Sequence, residues 1–143
     1  MAITSAICNT FKQEILEAEH NFTASTGNTF NLGLYDSDAT LNKSTTVYTT
    51  SEELATTGGY TAKGNALTSV TPVVDSDTAG CDFSNSSWTS ASFTARGCLI
   101  FNDDNSDTSV CAIDFGGDKT VTSGTFTIEF PAAAASTAII QIA

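Results

Sequence analysis

Ser92-Phe-Thr-Ala-Arg-Gly-Cys-Leu-Ile-Phe-Asn102, followed by Ser109-Val-Cys-Ala-Ile-Asp-Phe115, is the stretch whose reading decides the fold. Both runs are apolar on both alternating faces and are separated by Asp103-Asp-Asn-Ser-Asp107, a cluster of turn formers. This pattern predicts two central strands covered on both sides. Gly97, inside the first run, predicts a bulge or a close approach of another element. Downstream, Phe126, Ile128 and Phe130 alternate with Thr125, Thr127 and Glu129, which predicts a strand with one wet face that Pro131 ends. Ala138-Ile-Ile-Gln-Ile142 reads as a fourth strand, and Gly116-Gly117 reads as a turn between the second and third.

Working back from the sheet, residues 5–20 predict an amphipathic helix capped by Thr4 or Ser5. Ile7, Phe11 and Ile15 form its apolar stripe, which either lies against the sheet or docks on a neighbouring protomer or partner. Residues 29–35 alternate as a half-buried strand. Residues 36–79 are rich in Thr, Ser, Gly and Asp and read as a polar excursion, with weak strands at 45–48 and 66–70. The body of the sheet occupies 80–143. The whole predicts a single, mainly β domain: an antiparallel β-sandwich, immunoglobulin-like or jelly-roll-like, with one N-terminal amphipathic α-helix.

Composition narrows the function classes. The 143 residues carry five Lys and Arg against 16 Asp and Glu, a net charge of −11. That balance opposes binding to a phosphate backbone or to anionic lipid, so neither nucleic acid nor membrane is an expected partner. Only 15% of residues are charged, so solubility rests largely on 24 Thr and 16 Ser, and Thr favours exposed strands. The opening residues do not read as a secretory signal, and no run is long and apolar enough to span a membrane. The expected compartment of synthesis is a cytosol.

Cys8, Cys81, Cys98 and Cys111 lack zinc-ligand spacing and read as small buried apolar groups; a Cys98–Cys111 disulfide stays open for an oxidising medium. His20, beside Glu17 and Glu19, reads as a solvated surface residue, with no nucleophile elbow to serve. The carboxylate pairs Asp36/Asp38, Glu52/Glu53 and Asp75/Asp77 lie in polar loops, where the facing arrangement of a glycosidase is not expected. Asp103, Asn105 and Asp107 alternate as in a calcium loop, but Thr108 stands where the sharp-turn glycine belongs and no Glu follows at the twelfth position. A hairpin turn explains these residues without metal. No cofactor and no catalytic residue is expected. Tyr48, Tyr60 and Trp88 are candidate exposed contacts, with Trp88 read equally well as core.

The order of motifs along the chain resembles a group of small structural proteins of tailed bacteriophages. The resemblance is carried by Ser5-Ala-Ile-Cys-x-x-Phe-Lys-Gln-Glu14, Phe30-x-Leu-x-Leu-Tyr35, Ala39-Thr-Leu41 and Gly59-Tyr-Thr-Ala-x-Gly64. It continues through Trp88, Thr94-Ala-Arg-Gly97, Asp114-Phe-Gly-x-Asp-Lys119, Phe126-Thr-Ile-x-Phe-Pro131 and Ala138-Ile-Ile-x-Ile142. It implies a virion component without catalytic residues. The favoured expectation is a head decoration (cement) protein on the outside of the capsid. Its partners would be the major capsid protein or other virion proteins, and a homo-oligomer, such as a trimer at three-fold positions, fits symmetric assembly. A tail, fibre or knob component that contacts the host surface is the alternative. A soluble polysaccharide-degrading enzyme is the third class.

Overall fold

The computed structural model describes residues 1–143. The chain is mainly β, with two antiparallel sheets and one short helix near the N-terminus. Its elements are β1 (Ala6–Ile7), α1 (Asn9–Leu16), β2 (Phe30–Tyr35), β3 (Asn65–Ala66), β4 (Ser69–Asp75), β5 (Thr78–Phe83), β6 (Ser86–Asn102), β7 (Thr108–Ile128) and β8 (Ile140–Ile142). The larger sheet runs β1-β7-β6-β2-β3 and the smaller runs β4-β5-β8.

The two apolar runs lie within β6 and β7, but only their parts nearest the connecting turn are covered on both faces; Ser92 and Thr94 are exposed. Residues 97–102 and 109–112 are all buried. One face, with Phe30, Leu32, Leu34, Cys98 and Ile100, packs against Phe11, Phe22, Cys81, Phe83 and Ile140 from the helix region and the small sheet. The other face, with Tyr35, Leu99, Phe101 and Ala112, is covered by Ile3, Ala39 and Leu41, with Tyr48 packed against them. Each fully buried Leu, Ile or Phe contributes about 1.5–3 kcal/mol of transfer free energy, so both layers hold the hairpin in place. Gly97 has the tight surroundings its place in the run predicts. A Cβ there would lie 2.5 Å from the carbonyl oxygen of Ile113 and 2.8 Å from Cδ1 of Ile3.

Several local expectations change. The helix spans Asn9–Leu16, not residues 5–20. Ala6 and Ile7 pair with Ala112 and Cys111 instead, and the Cys8 N–H donates to the Val110 carbonyl at 2.9 Å. Sheet pairing thus claims the residues that Thr4 or Ser5 would have capped; the N-cap position is Cys8, without a side-chain bond. Ala18, at φ +61°, stops the helix at its other end.

The second and third expected strands are one strand, β7. Gly116 and Gly117 do not make a chain-reversing turn. The register passes from Gly97↔Asp114 to Ala95↔Lys119, so residues 115–118 bulge out of the strand, with Gly116 at φ +75°. Arg96 Nε donates to Asp114 Oδ1 at 3.0 Å, and the same oxygen accepts the Gly116 N–H at 3.0 Å, which fixes the bulge. Ser86, Ser87 and Trp88 begin β6, so they do not form a loop.

Residues 36–79 are more than a polar excursion. Their first half covers the outer face of the large sheet, and their second half supplies β3 and β4. The weak strand at 45–48 reduces to one bridge, Val47↔Thr108. The weak strand at 66–70 divides between β3 and β4. Pro72 is tolerated because β4 is an edge strand whose register shifts between Val70 and Val73.

Candidate contact surfaces

The turn Asp103–Asp107 does gather charge, and the cation it meets is Lys63. Lys63 Nζ lies 3.0 Å from Asp103 Oδ1 and 2.9 Å from Asp107, and 5.7 Å from the centre of the Tyr48 ring. The ammonium bridges these two carboxylates. Lys63 holds the Asp103 carboxyl below its ordinary value, and the two aspartates hold the Lys63 ammonium above its own. Asn105 serves the turn through its backbone, accepting from the Thr108 N–H at 3.0 Å. The local spacing pointed to this turn. Lys63 itself was missed, and its only signal was scarcity, as one of five cations among 16 acids.

Glu53 is the centre of a second network. Its carboxylate accepts from the hydroxyls of Tyr48 and Tyr60 and, at 2.6 Å, from the Lys63 backbone N–H. The Tyr60 hydroxyl in turn accepts the Leu34 N–H at 2.9 Å, next to where β3 stops pairing with β2. Burial first, then the neighbouring Glu53 carboxylate, pushes the phenols of Tyr48 and Tyr60 well above their ordinary range. Tyr60, at 2% exposed, and Trp88, at 4%, are therefore interior residues and cannot be surface contacts of the folded protomer. Trp88 meets Phe93 and Phe126 edge-on, at centroid distances of 6.4 and 6.0 Å, and Tyr60 meets Phe93 edge-on at 6.1 Å. Tyr48 is half-buried against Phe101.

His20 is buried, contrary to its reading as a surface residue. The Asp104 N–H donates to Asn102 Oδ1 at 3.1 Å, which turns Asn102 Nδ2 toward His20 Nδ1 at 3.0 Å. This orientation assigns the ring proton to Nε2, which donates to Glu14 Oε2 at 2.7 Å. The residue clamps the helix region to the end of β6. Asp36, Asp38 and Glu52 come together, with carboxylate oxygens within 4.8 Å. An Asx turn, in which Asp36 Oδ1 accepts the Asp38 N–H at 2.9 Å, brings the first two close. The four cysteines are free and buried, as their apolar reading anticipated. Cys98 faces Ile113 and Cys111 faces Ile100, so those two thiols are diagonal neighbours on adjacent strands.

With these polar groups committed to holding loops, two apolar surfaces remain open. The first lies on the outer half of the β6–β7 hairpin, the arm formed by residues 86–95 and 120–128. Neither segment contains a charged residue. Its hydroxyls pair across the strands, Ser87 with Thr127 and Thr94 with Thr120, each at 2.8 Å. Beside the arm, half-buried Phe115, Phe126, Ile128 and Phe130 line a groove of about 480 Å³ with Ile113 and Ile139, and the exposed Lys119 and Glu129 border it.

The second is a groove of about 430 Å³ between the end of α1 and the face of β4-β5-β8, lined by Ile15, Ala18, Phe22, Pro72, Ala79 and Ile142 among others. Of the helix stripe, Phe11 is buried in the core and Ile7 is half-buried in β1. Only Ile15 reaches a groove.

No helix is long and apolar enough to cross a membrane. Comparison with protein-family models, with curated proteins and with solved structures yields no match for this chain.

Proposed function

We propose that the chain is a structural protein of a bacteriophage virion, a decoration protein that binds the outer surface of the assembled head. The observation that carries this reading is the charge-free arm on a protomer of net charge −11. Like-charged copies can crowd a lattice only if the surfaces they bring close to the shell and to one another carry little charge. The arm supplies a stiff, hydroxyl-rich strand pair with an apolar groove beside it. Weak contacts of this kind gain strength when many symmetric copies bind one shell. The order of motifs described above supports the same reading, and its partner is the major capsid protein or another virion protein.

The test is an image reconstruction of heads that lack the protein, before and after the purified chain is added. Added density on the outer lattice at symmetry-related positions is the expected result. Density restricted to a few copies at the tail would overturn the head assignment in favour of a tail component.

A further inference from the structure

We infer that the groove between α1 and the small sheet is a docking site for a basic amphipathic segment of a partner protein, one that presents apolar side chains flanked by Lys or Arg. The groove shares no lining residue with the hairpin arm, so this inference stands apart from the decoration reading.

Its floor is continuous across strands. Val74 pairs with Ala79, and Ala79 with Ile142, so the three form one cross-strand row on one face of the small sheet; Ala79 and Ile142 line the groove and Val74 continues the row beyond it. Ile15 and Ala18 close the groove from the helix side. On that row Val74 is 76% exposed and Ile142 58%. Clustered exposure of large apolar side chains marks interaction surfaces.

Charge selects the occupant. No carboxylate lines the groove itself, but Glu17 and Glu19 flank its lining residue Ala18, and Asp77, in the β4–β5 turn, lies two residues before its lining residue Ala79. No Lys or Arg lines the groove. The helix C-terminus adds its own negative partial charge. A second copy of this chain would bring more carboxylates to an acidic rim, whereas a basic segment is drawn to it and held by the apolar floor.

The probe is a synthetic amphipathic peptide of Leu and Lys, compared with the same peptide carrying Glu in place of Lys, and read by fluorescence anisotropy against the full chain. The Leu/Lys peptide is expected to bind and the Leu/Glu peptide not to. The double variant Val74→Ser/Ile142→Ser leaves net charge unchanged and should weaken binding about tenfold or more, with an unaltered circular dichroism spectrum. Val74→Ser alone, at a largely exposed site on the same cross-strand row, gives a second reading if the double variant unfolds. The double variant Glu17→Gln/Glu19→Gln should flatten the salt dependence. Unchanged affinity in the Ser variants would overturn the inference, because binding would then follow overall charge alone. A concentration-dependent dimer that the Ser substitutions dissociate would overturn it too, by assigning the groove to a second copy.

Discussion

The phenol of Tyr60 donates to Glu53 Oε1 at 2.7 Å while its oxygen accepts the backbone N–H of Leu34. One side chain thus joins the loop over the outer face to β2, the strand beside the central β6. Glu53→Ala removes the acceptor and leaves the buried Tyr60 hydroxyl without its partner. A loss of about 1–3 kcal/mol in urea unfolding is expected, with Glu53→Gln losing less because its amide oxygen still accepts.

Tyr35, Tyr48 and Tyr60 are the only tyrosines, and burial is the largest cause raising each phenol above its ordinary value of 10.0. Each group therefore binds its proton more tightly folded than unfolded. Their contribution to stability is complete below pH 10 and is lost as pH rises further. Tyrosinate absorbance of the native protein should show no step near pH 10 and should emerge only with alkaline unfolding. A native-state step at pH 10 would contradict the network.

The thiols should be silent toward a thiol-specific reagent at pH 8. Burial pushes Cys8 up to about 11 and Cys81 and Cys98 up to about 12, and holds Cys111 well above 9.0. Since the thiolate is the reactive form, the native protein should react at a negligible rate and release all four thiols on denaturation.

Lys63 and its two aspartates set a pH plateau. Asp103 is depressed below its ordinary 3.8, so its contribution is present above that value and lost as pH falls through the folded one. Lys63 is raised above 10.5, so its contribution is present below that value and lost as pH rises through the folded one. Lys63→Met should flatten the acid limb of a thermal-melting profile. The pair is partly exposed, so the change at neutral pH should stay under about 1 kcal/mol.

Trp88→Ala should destabilise the fold by about 3–5 kcal/mol, the cost of emptying a packed aromatic site. If the variant instead kept full stability, the interior placement of Trp88 would be refuted. Gly97→Ala should also destabilise, by about 1–3 kcal/mol, because the new methyl meets the Ile113 carbonyl and Ile3.

How much of this was legible depended on range. The expected strand 29–35 matches Phe30–Tyr35 in its bounds, because alternation is a property of neighbouring residues, but not in its half-buried character: Leu34 and Tyr35 are both buried, one in each layer. The doubly covered strands were legible for the same reason: 98–101 and 110–112 are apolar at every position. Gly116-Gly117 misled, because glycine suits a bulge as well as a turn, and only the partner strand decides between them. The candidate contacts failed in the same way. Tyr60 and Trp88 sit in polar sequence, yet each is buried by aromatics from other strands. The groove was visible only through Ile15, since Ala79 and Ile142 meet there through strand pairing.

Composition and local pattern alone determined a mainly β chain with acidic character, buried thiols and a double-faced central hairpin. These follow from side-chain type and period-two alternation, which act within a few residues. Tertiary structure alone decided that Lys63 meets carboxylates 40 and 44 positions away, and that His20 reaches Asn102 across 82. It also decided that the outer hairpin is a charge-free arm. Such pairings depend on how layers stack and on where strand register shifts, and neither leaves a periodic trace in the residues concerned.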